Sequence, residues 1–83
     1  MTVIYTLHAK DKLKRTDTRK FNITKKLIER IIRSPRSQQI TKSGEHSAVT
    51  GINDKHDLRV IYDIMDAGFK VITFHISRKG RYP

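Results

Sequence analysis

Eighty-three residues allow one small domain, spanning residues 1–83 with a basic tail from about residue 77. Lys and Arg number 18 against 8 Asp and Glu, a formal net charge of +10, and hydrophobic residues make up 36%, too many for an unfoldable polar tail. The absence of cysteine excludes disulfides, a thiol nucleophile and Cys-ligated metal; the charged first twenty residues and the lack of any long apolar run speak against a signal peptide and a membrane span, so a cytoplasmic protein is expected.

Val3-Ile4-Tyr5-Thr6 is β-branched and aromatic and predicts a short first strand. Leu7, Ala9 and Leu13 give residues 8–15 a sparse helical pattern, and residues 16–22 read as a loop or a frayed helix end. The next helix is well marked. Thr24 is a suitable N-cap, Ile23 can staple onto Ile28, and Leu27, Ile28, Ile31 and Ile32 share one face before Ser34-Pro35 stops the run. Ser37 to Thr41 predicts a short edge strand, residues 42–45 a turn, and His46 to Asn53 a further strand. Residues 53–57 read as a polar connection. Leu58 to Ile64 predicts a strand, Met65 to Gly68 a turn, and Phe69 to Ile76 a nearly continuous apolar strand of the kind found inside a sheet. The order implies an α+β domain: a short N-terminal strand, then one or two helices on one face of a three- to five-stranded, mainly antiparallel sheet.

The charge is segregated. Residues 1–36 carry a net charge of +8, residues 37–66 −2, and residues 67–83 +4. One cationic face results if the two ends meet, and a polyanion, nucleic acid or an acidic protein, is the expected partner. With the helices on one side, Leu58, Val60 and Tyr62 are expected to face them, as are Ile72, Phe74 and Ile76. That turns Arg59 and Asp63, and Val71, Thr73 and His75, to the open side. His8, Lys10, Lys12 and Lys14 are expected near the same region, with Arg78, Lys79, Arg81 and Tyr82 following it in the tail. Lys25, Lys26 and Arg30, on the polar face of the helix that Thr24 opens, either grip phosphates or simply meet solvent.

Arginine and lysine bind phosphate, histidine transfers protons near neutral pH, and tyrosine stacks on bases. This is the inventory of a metal-independent ribonuclease, in which the RNA 2′-OH attacks the adjacent phosphorus and the protein provides a base, an acid and cations. His8, Arg59, His75, Arg81 and Tyr82 are the candidate catalytic residues. Lys10, Lys12, Lys14, Lys25, Lys26, Arg30, Arg78 and Lys79 are the candidate RNA-binding ones. No cofactor and no metal is expected, because neither an HxH nor an HExxH spacing occurs. A Gly-x-Ser-x-Gly turn and a phosphate-cradling glycine loop are also missing. His46 and His56 fall in polar stretches and carry no expected role. The alternatives are a non-catalytic nucleic-acid-binding module and a protein that acts on a protein target.

Leu7-His8-Ala9, the Phe21-Asn22-Ile23-Thr24 opening of a helix that ends at Ser34-Pro35, Leu58-Arg59-Val60-Ile61-Tyr62 and Val71-Ile72-Thr73-Phe74 occur in an order that resembles a bacterial family of small domains. That family is similar in layout to the RelE/ParE-like toxins and to the barnase, colicin and RelE-type ribonucleases. The resemblance covers about residues 5–76. It implies a toxin-like endoribonuclease, acting on free RNA or on the ribosome, held inactive by an acidic antitoxin. His8 and Arg59 carry over by motif, Arg81 and Tyr82 by position alone. The sequence departs from the family at Leu13-Lys14-Arg15, where an arginine-rich pattern is usual.

Overall fold

The computed structural model describes residues 2–79. Its elements in chain order are β1 (Thr2–Tyr5), α1 (Leu7–Leu13), α2 (Thr16–Lys20), α3 (Lys25–Arg33), β2 (Ser37–Ile40), β3 (His46–Gly51), β4 (His56–Met65) and β5 (Gly68–Arg78). The strands form one sheet in the order β1-β5-β4-β3-β2; β1 runs parallel to β5 and every other neighbouring pair is antiparallel. The molecule is therefore α+β, with three helices packed against a five-stranded mixed sheet. The first and last strands of the chain meet in the β1–β5 pairing.

The core lies between α3 and the sheet. Ile28, Ile31 and Ile32 pack with Ala48, Leu58, Val60, Tyr62, Val71 and Phe74, joined by Ala9 of α1 and by Ile23. Burying one such side chain contributes about 1.5–3 kcal/mol. Helix α3 starts as its sequence dictates. The Thr24 hydroxyl accepts the Leu27 N–H at 3.2 Å, and Ile23 and Ile28 are both buried, as a hydrophobic staple requires. Tyr5 of β1 fastens the helix to the sheet edge by donating to Glu29 Oε2 at 2.7 Å. Burial, and next the Glu29 carboxylate, push its phenol well above the usual pKa.

The structure departs from the expectation at several points: three helices form where one or two are expected, Met65 belongs to β4 rather than to the turn, and β5 runs on to Arg78, where a basic tail from about residue 77 is expected. Residues 16–20, expected as a loop or a frayed helix end, form a short helix of their own, α2. Its Thr18 is buried, and the Thr18 carbonyl accepts the Ile23 N–H. Asn22, with φ 56°, then reverses the chain in the left-handed region, which asparagine tolerates better than most residues. Strand β4 begins at His56, so Asp57 lies inside a strand rather than in the polar connection.

A further departure is a β-bulge. Ile61 pairs with Thr73 but Tyr62 pairs with Val71, leaving Ile72 as an extra residue. Phe74 and Ile76 face the helices as expected, and Thr73 and His75 face away. Val71, expected on the open face, is fully buried in the core, while Ile72 is not in the core cluster. Thr6 anchors the bulge. Its hydroxyl donates to the Ile72 carbonyl at 2.7 Å and accepts the Ala9 N–H, capping α1 with the same oxygen. Gly68 likewise belongs to β5 rather than to the turn. It adopts φ 154°, and a Cβ there would fall 1.8 Å from the Thr2 carbonyl oxygen of β1.

Candidate functional site

The sheet face opposite α3 carries the odd-numbered residues of β3 and β4. Arg59 and His75 are direct register partners on β4 and β5, so their side chains stand together there. Arg59 Nε donates to the Ser47 hydroxyl at 3.0 Å, which orients the guanidinium across β3. His75 is exposed at the other side of the pair.

Helix α1 completes this end of the site. Strand β1 stops at Tyr5, opposite Val71, so the β5 backbone beyond that point has no strand beside it, and α1 packs there instead. Ala9 and Leu13 turn toward the core, which sets His8 and Lys12, one helical turn apart, toward β5. Lys12 Nζ donates to the Thr73 hydroxyl at 3.3 Å, to the Phe74 carbonyl, and to His75 Nδ1 at 3.1 Å. Its charge also lies 5.5 Å from the Phe74 ring centroid. A hollow of about 190 Å³ adjoins this cluster, lined by Lys12, Asp17, Thr18, Phe74, His75 and Ile76.

The electrostatics follow from the crowding of cations. Although one side of the ring meets solvent, partial desolvation by its neighbours lowers the His75 pKa most, and the charges of Lys12, Arg59 and His8 lower it further. His8 is exposed yet near enough to act on His75 in this way. Lys12 is lowered by burial and by Arg15, with Asp17 opposing.

A second group lies further along the same face. Arg36 grips the fully buried Asp57 with both guanidinium nitrogens, at 2.9 and 3.1 Å. The Lys79 ammonium sits over Gly51, where a Cβ would approach it to 3.1 Å. Arg36, Ser47 and Asp57 are parts of this face beyond the residues expected there. Asp57 shares the parity of Arg59, and starting the strand two residues earlier would have revealed it.

The structure thus brings His8, Lys12, Arg59, His75 and Lys79 to one side. It does not gather the other described candidates with them. Lys10 is exposed and stands about 200° round α1 from His8, and Lys14 is exposed at the C-cap of the helix. Lys25, Lys26 and Arg30 are exposed on the outer side of α3, across the sheet from Arg59. There Lys26 and Arg30 line a groove of about 380 Å³ with Leu27, Glu29 and Arg33. Arg78 is the register partner of His56, whose ring meets Phe21 on the helix side. The single cationic face expected from the charge runs is therefore two faces, divided by the sheet. Arg81 and Tyr82 lie outside the described residues.

The other histidines have local packing partners. His46 stacks on Tyr62 at 5.5 Å, and His56 pairs with Asn53 and Phe21. Among the described residues, no three His, Asp or Glu side chains come together as metal ligands do, and no helix is long and apolar enough to cross a membrane. Comparison of the chain with protein-family models, with curated proteins and with solved structures finds no match.

Proposed function

We propose that the open sheet face cleaves RNA without a metal ion, in the manner of the RelE-like toxins that residues 5–76 resemble. The carrying observation is the cross-strand pairing of Arg59 with His75, a fixed guanidinium beside an exposed imidazole on the face that no helix covers. In this reading a phosphodiester lies over the pair. The 2′-oxygen attacks phosphorus while its proton passes to His8. Arg59 and His75 hold the non-bridging oxygens as charge builds on them, and the 5′-oxygen leaves, taking a proton from water. The product ends in a 2′,3′-cyclic phosphate. Such an enzyme works in the cytoplasm, and a net charge of +10 makes an acidic protein its natural inhibitor.

The test is incubation of the purified protein with end-labelled RNA in EDTA, with and without ribosomes. Arg59→Ala and His8→Ala are run alongside, and circular dichroism reports their fold. Cyclic-phosphate ends that fall about 100-fold or more in Arg59→Ala are expected. Undiminished cutting by the folded Arg59→Ala protein overturns the site. RNA binding without cleavage under either condition assigns the face to a binding module.

A further inference from the structure

We propose that Lys12 is the positioning residue for His75, fixing its imidazole as the Nε2–H tautomer and presenting that N–H as a hydrogen-bond donor on the open face. The inference rests on the reading of this face as the site, but its chemistry is local. An ammonium group has three N–H donors and no acceptor. The Thr73 hydroxyl, the Phe74 carbonyl and His75 Nδ1 are three acceptors for them. Two of the three belong to the β5 strand edge and its neighbouring hydroxyl, and they hold Nζ in place independently of the ring. Because Lys12 donates to Nδ1, Nδ1 carries a lone pair, and the ring proton resides on Nε2.

This arrangement has a chemical consequence. A histidine so held cannot accept a proton at Nε2 without losing the one already there, and a second proton at Nδ1 drives Lys12 away. His75 therefore acts as a neutral donor to a phosphate oxygen, and the proton-accepting part falls to His8. The surroundings of the ring enforce the same state. Lys12 and His8 approach from α1 and Arg59 from β4, and the Arg15 and Asp17 charges act through Lys12. Among the described residues, the groups whose charge acts directly on the ring are all basic. Protonation of His75 also opposes the seating of Lys12 on β5, so acidification below the ordinary histidine range loosens α1 from the β5 edge.

The test is a long-range ¹H–¹⁵N spectrum of the histidine side chains of the full chain, recorded across pH 5–8. The expected result is a His75 ring protonated at Nε2 alone, titrating below the ordinary value of about 6.5. In Lys12→Met, which keeps an unbranched stem without the donor, the tautomers mix and the midpoint rises. Lys12→Arg, which still donates, restores the Nε2–H form. An Nδ1–H tautomer in the wild-type protein overturns the proposal, and that measurement stands even if Lys12→Met fails to fold. Unchanged tautomer and midpoint in a folded Lys12→Met also overturn it. Neither spectrum depends on catalysis. Loss of RNA cleavage as the proposed function, with His75 still locked as Nε2–H, therefore removes that function and leaves the lock.

Discussion

Asp57 makes a stringent demand on its surroundings. Its carboxylate has no exposure to water, and it lies on the sheet face that the helices leave open. The bidentate guanidinium of Arg36 replaces the lost hydration. Arg36 keeps much of its surface in water, so the pair adds little of itself, but removing the guanidinium leaves the buried carboxylate uncompensated. Arg36→Ala is therefore expected to destabilise the fold by about 3 kcal/mol, read from urea unfolding at pH 7. Adding Asp57→Ser to that variant is expected to recover part of the loss. An Arg36→Ala midpoint equal to wild type is incompatible with this account. Arg59 differs in kind. It is only half-buried and its Nε partner is a hydroxyl, so its replacement is expected to cost function before stability.

The β1–β5 pairing decides where α1 sits, and hence whether His8 and Lys12 reach the open face at all. Two residues govern it. Thr6 ends the strand, caps the helix and holds the bulge at Ile72. Gly68 gives β1 room to approach, since its backbone conformation and the Thr2 carbonyl at its Cα leave no space for a side chain. Gly68→Ala is expected to detach β1 from the sheet while β3, β4 and most of β5 persist. Native-state hydrogen exchange checks this. The amides of Thr2 and Thr6, which donate to the Ala67 and Val71 carbonyls, should lose protection, while those in the β3–β4 ladder keep theirs. Equal protection of Thr2 and Thr6 in the variant contradicts the assignment. The bulge matters for the same reason. It lets Val71 and Phe74 both enter the core while Thr73 and His75 remain outside, which an unbroken period of two does not permit.

At the scale of the whole molecule, the cationic side chains of the described residues are divided by the sheet. One cationic group surrounds Arg59 and His75. The other, with Lys26, Arg30 and Arg33, lines the outer side of α3. Under the proposed function, the first group meets the phosphate being cleaved, and the second engages RNA only when the strand is long enough to pass round the domain. Lys26→Ala combined with Arg30→Ala is accordingly expected to leave cleavage of a dinucleotide unchanged. It should weaken binding of a long RNA and flatten its dependence of log K on log salt by about 0.7 for each phosphate that the variant no longer neutralises. Filter binding over a salt series measures both. A double variant with the wild-type slope on long RNA removes α3 from the binding surface.

Much of this architecture is legible in the chain itself. Thr24, Ile23, Ile28 and Ser34-Pro35 specify α3 because caps, staples and proline act within a few residues. Alternation in residues 58–64 places Leu58, Val60 and Tyr62 toward the helices and Arg59 away from them, since a strand's period is a local property. His75 and Thr73 fall on the open side for the same reason. Tertiary structure decided the rest. The Ile72 bulge depends on Thr6, sixty-six residues distant in the chain, and the helical form of residues 16–20 depends on the burial of Thr18. The place of Asp57 inside β4 depends on Arg36 arriving from beyond α3. The separation of the cations into two faces depends on which side of the sheet each element packs. Sequence thus determined what short-range sterics and hydrogen bonding control. Pairings between distant segments settled the bulge, the ion pair that holds the buried Asp57 and the seating of Lys12 against His75, because only their spatial meeting satisfies the groups concerned.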